Sequence, residues 1–110
     1  MIANYPKALR LRTRRDFQRM AHKSRRHVGN LLIIDSRENH TQRTRLGITV
    51  TKRYGKSHVR NRFKRIVREA FRQCHGQLKQ GMDLNVRPRT AANNAKTQDV
   101  LVELIRLLAL

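Results

Sequence analysis

One stretch of this chain admits a single regular structure. Val59, Phe63, Ile66, Val67, Ala70, Phe71 and Cys74 recur at i, i+4, i+7, i+8, i+11, i+12 and i+15, the spacing that gathers side chains on one face of an α-helix. It predicts a helix over 58–74 that ends near Gly76, with Ser57 as its N-cap. At about 100° per residue, Asn61, Lys64, Arg65, Arg68 and Arg72 fall within one arc of about 100°, opposite the apolar stripe. One face must therefore pack, while the other presents four cations and an amide. A merely solvated face mixes signs, yet Glu69 is the only acid between Glu38 and Asp83. Arginine forks match phosphate oxygens in bidentate geometry, and Lys64 adds a point charge. The face is therefore read as a phosphate-binding surface.

The remaining elements follow from weaker signals. Thr13 to Asp16 fits a capping box, and Phe17, Met20 and Ala21 follow at helical spacing, predicting a short helix over 13–22. Val28 to Asp35, with Leu31-Leu32-Ile33-Ile34 at its centre, reads as a strand buried on both faces, and 35–43 as a loop. Leu46, Ile48 and Val50 alternate with polar residues and predict a second strand, paired with the first as an antiparallel neighbour. Tyr54-Gly55-Lys56-Ser57 is a turn. Met82, Leu84 and Val86 form a third strand that Pro88 ends, and Val100, Leu101, Leu104, Ile105 and Leu108 a last helix over 97–109. The order α-β-β-α-β-α places a small sheet beneath helices, an α/β (α+β) two-layer sandwich. With no internal repeat and no Gly/Ser- or Pro-rich linker, 1–110 is read as a single domain.

Charge decides the class of partner. Lys and Arg number 26 against 7 Asp and Glu, a formal charge of +19, where solubility alone asks a small domain for a magnitude of about 2–8. Such self-repulsion is relieved by a polyanion. Residues 7–26 hold nine of the bases, residues 43–72 another eleven, and residues 73–110 only five against three acids. Nucleic acid is the expected ligand, and not a membrane. The single Cys74 excludes an internal disulfide and any CxxC zinc site, and it sits in the apolar stripe as a core residue. Met1 to Lys7 lacks the apolar run of a secretory signal, and no window approaches a transmembrane span, so a cytoplasmic location is expected. His22, His27, His40, His58 and His75 are scattered, with no acid or cysteine at metal-ligand or nucleophile–base spacing. No protein-borne catalytic residue and no protein-bound metal is expected. Strands on both sides of the basic helix argue against a helix-turn-helix reader of DNA, and backbone recognition of a folded RNA fits better.

The residues on and before this helix carry a resemblance. Leu46-Gly47-Ile48-Thr49-Val50-Thr51-Lys52-Arg53-Tyr54-Gly55-Lys56-Ser57, then Val59-Arg60-Asn61-Arg62-Phe63-Lys64-Arg65 and Arg68-Glu69-Ala70-Phe71-Arg72, closely resemble the protein subunit of bacterial ribonuclease P. The Arg-Asn-Arg run between a G-I-x-V-[ST]-K-[KR]-x-G strand-turn and Lys-Arg-x-x-Arg-Glu is highly specific. Leu9 through Phe17 and the closing strand and helix extend the likeness over nearly the whole chain.

The resemblance implies the fold class of the second domain of ribosomal protein S5, with a left-handed βαβ crossover through the Arg-Asn-Arg helix against the usual right-handed preference. It implies an endoribonuclease holoenzyme in which a large RNA subunit and its Mg2+ ions carry the chemistry and remove the 5′ leader of precursor tRNA. The protein would bind that RNA and hold the leader in a cleft between the first helix and the sheet. By position, Arg60, Asn61, Arg62, Lys64, Arg65, Arg68 and Arg72 become RNA contacts, extended by Lys52, Arg53 and Lys56. Phe17, beside Arg14 and Arg15, becomes a leader-stacking residue; spacing alone favours a core residue beside Met20 and Ala21, and the resemblance brings the two readings level. Two departures stand out: Ala21 and Ile33-Ile34-Asp35 replace aromatics that relatives often carry, so stacking should be weaker and Asp35 should disfavour phosphate. Asn85 and Pro88 should make the third strand more polar and shorter than the apolar run usual in that family. A structural, ribosomal-type RNA-binding protein without a role in tRNA processing is the alternative.

Overall fold

The computed structural model describes residues 9–108. Along them lie α1 (Arg14–Arg19), β1 (Arg25–Val28), β2 (Leu32–Glu38), β3 (Arg45–Ile48), α2 (Ser57–Cys74), β4 (Met82–Pro88) and α3 (Thr97–Leu108). The order is therefore α-β-β-β-α-β-α, one strand more than the sequence predicts. The expected strand over 28–35 divides at Gly29–Asn30 into an antiparallel hairpin whose second arm runs on to Glu38. β1, Arg25-Arg26-His27-Val28, escaped notice because it has no apolar alternation; it is an edge strand and mostly exposed.

The sheet order is β1-β2-β4-β3. β2 and β3 are thus not neighbours, as the alternation of Leu46, Ile48 and Val50 had suggested. β4 lies between them, antiparallel to β2 and parallel to β3. Parallel neighbours need a long crossover, and α2 supplies it. The other edge of β3 is covered by the segment before α1: Arg10 bridges Leu46, and Leu11 N donates to Leu46 O at 2.9 Å. β4 ends at Pro88, as expected, and is as long as β2.

Alternation then sorts the two faces. Leu32 and Ile34 of β2, Leu46 of β3, and Leu84 and Val86 of β4 meet Phe63, Ile66, Val67, Ala70, Phe71 and Cys74 of α2 and Val100 and Leu104 of α3 in one core. Sheet and helix pair are the two main layers. Lys56, not Ser57, occupies the N-cap position of α2, and no side chain caps it. The expected end of α3 at residue 109, like the reading of Met1 to Lys7, lies outside the described residues.

The opposite face is polar. α1 reaches it where β3 has no side chain: a Cβ on Gly47 would sit 2.7 Å from Phe17 Cε1 and 3.0 Å from Leu11. The Thr13–Asp16 capping box forms as predicted, although the helix spans only 14–19. Asp16 also lies 3.6 Å from Arg45 Nη2, whose fork is bidentate to Asp83 at 2.7 and 2.8 Å. Burial pushes the Asp16 carboxyl up, but the amides of Thr13 and Arg12, the Thr13 hydroxyl and the Arg45 charge together hold it below its ordinary value.

The β1–β2 turn is closed from the helix layer. Glu103 of α3, buried, accepts from the amides of Asn30 (2.7 Å), Leu31 (2.9 Å) and Leu32 (2.7 Å) and pairs with Arg106 at 3.0 Å. Gly29 permits this approach, since a Cβ there would lie 2.4 Å from Glu103 Cδ. Glu103→Ala leaves three amides without acceptors and should lower the unfolding free energy by about 3 kcal/mol in urea titrations. Glu103→Gln, with one carbonyl oxygen, should fall between that variant and the parent.

Candidate nucleic-acid interface

The charged face of α2 exists because its apolar face is fully engaged. With Phe63, Val67 and Phe71 held in the core, the arc on the far side can only point outward. Asn61, Arg65 and Arg68 are exposed and Lys64 is half-exposed; none has a side-chain partner among the described residues. Lys52 and Arg53, in a tight turn at Lys52–Tyr54, and Lys56 at the helix start extend this surface, and all three are exposed. No acid lies in the first turn of α2, so the positive end of the helix dipole adds to the cations there.

Three arginines of the same helix are engaged by the protein itself. Arg60 Nε donates to Gly55 O at 3.1 Å, clamping the turn that precedes the helix. Arg62 donates to Ala95 O at 3.0 Å and Asn93 O at 3.5 Å, tying α2 to the segment before α3. Arg72 pairs with Glu69, which Gln73 also reaches. The hydrogen bonds from Arg72 and Gln73 hold the Glu69 carboxyl below its ordinary value. The Arg-Asn-Arg run is thus a brace on either side of one free amide.

The outer sheet face forms a second surface, floored by cross-strand neighbours. Gly47, Asn85, Asp35 and Arg26 stand side by side across the four strands. Asp35 is paired on both sides, by Arg26 at 3.0 Å and by Arg87 at 3.2 Å. It therefore orients two guanidinium groups rather than presenting a bare carboxylate. Thr49 Oγ1 donates to Asn85 Oδ1 at 3.0 Å. Phe17, half-buried, stands over Gly47 at one end of this row, with exposed Arg14 and Arg15 on the same helix. Phe17 packs on the sheet at Gly47 and borders the open face. Met20 is buried and Ala21 exposed.

The family model for ribonuclease P matches residues 5–109. The chain belongs to the bacterial ribonuclease P protein family. The ribonuclease P protein component of Chlamydia muridarum is 46% identical over 76 residues, which cover 66% of this chain and 62% of that one. The chain thus spans somewhat less than two thirds of that relative. The component of Clostridium botulinum strain Loch Maree is 32% identical over 100 residues, 90% of either chain. Among solved structures, the ribonuclease P protein of Thermotoga maritima superposes with a TM-score of 0.83 at 34% identity, over 90% of this chain and 94% of that one. That of Staphylococcus aureus does so with 0.80 at 28%, over 92% and 93%.

In this ribonuclease P protein, Arg26, Arg87, Arg45 and Asp83 were not among the residues singled out from sequence, and Asn85 was singled out only as a polar residue of the third strand. For Asp83, Asn85 and Arg87 the signal was present in their alternation with Leu84 and Val86. It lacked the register that sets them beside Asp35 and Arg45. Among the described residues no group of three or more His, Cys, Asp or Glu could hold a metal ion. Nor is any helix there long and apolar enough to cross a membrane. Burial pushes the Cys74 thiol up to about 11, as suits a core residue. Removing a brace should cost stability where removing a free cation does not. Arg62→Ala should lower the unfolding free energy by about 1 kcal/mol, while Arg65→Ala and Arg68→Ala should stay within about 0.5 kcal/mol of the parent, all measured by urea unfolding.

Proposed function

We propose that this protein binds the RNA subunit of ribonuclease P through the outward face of α2 and holds the 5′ leader of precursor tRNA on the outer sheet face. The observation that carries the reading is the unpaired set Asn61, Lys64, Arg65 and Arg68 on one side of a helix whose other side is core. Lys52, Arg53 and Lys56 continue the surface toward the strand-turn. Arg60 and Arg62 serve it by fixing the helix, and Arg72 contributes only as far as Glu69 releases it.

On the sheet face the leader meets Phe17, Arg14 and Arg15 from α1 and the Arg26–Asp35–Arg87 group from the floor. Aromatic stacking contributes about 1–3 kcal/mol per base without regard to sequence. With fewer aromatics here, the guanidinium planes that Asp35 orients offer bases a second flat surface. Hydrolysis and its Mg2+ ions are assigned to the RNA, and removal of the leader gives the mature tRNA 5′ end. The role requires neither DNA nor a membrane and is placed in the cytoplasm.

Added to a bacterial ribonuclease P RNA at low magnesium, the protein should restore cleavage of precursor tRNA at the 5′ leader junction. Tight RNA binding without stimulation would instead favour a structural RNA-binding role. Arg65→Ala and Arg68→Ala should each flatten the slope of log affinity against log salt by about one. Arg62→Ala should weaken binding with that slope unchanged, and an equal flattening would make Arg62 a phosphate contact.

A further inference from the structure

β1 presents cations to both faces of the sheet. Arg26 turns to the outer face and pairs with Asp35, whereas Arg25 and His27 turn to the helix side, in register with Ser36 and Ile34. α3 does not cover this edge. What remains is a groove of about 880 Å³ between β1, the end of α3 and the segment around Lys79. That lies within the range of roughly 300–1,000 Å³ typical of small-ligand sites. Met82, Leu84 and Leu107 are among its apolar lining, and Lys23, Arg25 and Lys79 among its cations.

Three observations point to a ligand. The side chains of Lys23 and Arg25 have no hydrogen-bond or ion-pair partner among the described residues. Lys79 reaches only Glu38, at 3.9 Å with both groups exposed, a pairing worth little in water. Among the described residues just two non-glycine residues have left-handed backbone, Lys23 at φ 55° and His40 at φ 58°, and both line this groove. Histidine tolerates that region; lysine rarely adopts it, and such strain persists where the surroundings impose it and clusters at ligand clamps.

We propose that this groove is a second RNA site, which takes a single-stranded ribonucleotide segment with its phosphates on Lys23, Arg25 and Lys79 and a base on the apolar floor. A nucleotide joins an anionic group to a flat apolar ring, which is the pairing the groove offers. An apolar protein face would bury Lys23 and Arg25 unpaired, at a cost of several kcal/mol per ion. His27, whose Nε2 lies 3.0 Å from Ser36 Oγ, holds an imidazole at the edge of the same floor, and imidazoles stack on bases. The site lies on the sheet face opposite Phe17 and Asp35, so it is separate from the leader surface proposed above and does not depend on it.

The test is titration of the 15N-labelled full chain with octauridylate, which cannot fold on itself. Amide shifts at 23–27 and 78–82 should move and saturate, and should persist in the Arg65→Ala/Arg68→Ala variant. The triple variant Lys23→Gly/Arg25→Thr/Lys79→Ser should keep a dispersed spectrum and weaken that response by about tenfold at about 0.1 M salt. Shifts confined to α2 and the outer sheet face would overturn the proposal. So would an undiminished response in the triple variant, or an equal response to a polyglutamate peptide, which would assign the groove to an acidic protein.

Discussion

Scarcity of acid governs this structure. Seven carboxylates serve a chain with 26 lysines and arginines, and five of them, Asp16, Asp35, Glu38, Asp83 and Glu103, join separate segments. Asp16 caps α1 and faces Arg45; Asp83 holds the Arg45 fork between β3 and β4. Asp35 joins β1, through Arg26, to β4, through Arg87. Glu103 joins α3 to the hairpin, and Asp99 accepts from Lys96 N at the start of α3. Glu69 and Glu38 meet Arg72 and Lys79. Surface pairs contribute little energy, but buried ones fix which elements meet, because a buried charge without its partner is costly.

Carbonyl oxygens take over where acids run out. Arg37 donates to Arg19 O at 2.6 Å, Arg60 to Gly55 O, Arg62 to Ala95 O, and Arg89 to Gly29 O at 2.6 Å. Each bond holds a loop or a helix end against a neighbouring element without neutralising the charge. The cations therefore stay available to the long-range field even when their donors are engaged. This separates two contributions that composition merges: all the cations attract a polyanion, but only those with free donors can grip it.

Periodicity made the helices legible. α2 and α3 appear where their apolar stripes put them, since a stripe of that length has one geometric solution. The capping box at Thr13 was equally readable because both of its partners are local in sequence. β1 was not, because an edge strand needs no apolar alternation and RRHV has none. Pairing order was not, because insertion of β4 beside β2 depends on where α2 returns the chain, and no local pattern records that. The candidate surface shows the same division. The free face of α2 follows from residue spacing, whereas the bracing of Arg60 and Arg62 depends on carbonyls at Gly55 and Ala95, one of them 33 residues away.

The outer sheet face owes its shape to a residue with no side chain. A six-residue helix is far below the length that holds itself together in water, about 12–15 residues, so α1 takes its position from what it touches. Three things fix it: the capping box, the Asp16–Arg45–Asp83 chain, and the seating of Phe17 and Leu11 on Gly47. The first is internal and sets only the helix start. The second is partly exposed and could follow a shifted helix. The third cannot: any Cβ at Gly47 would meet the Phe17 ring and Leu11 at or inside 3.0 Å, and the close packing of interiors leaves neither much room to give. The distance between α1 and the Asn85–Asp35–Arg26 row is therefore set from Gly47, so the width of that face is a property of β3 and not of the helix that borders it.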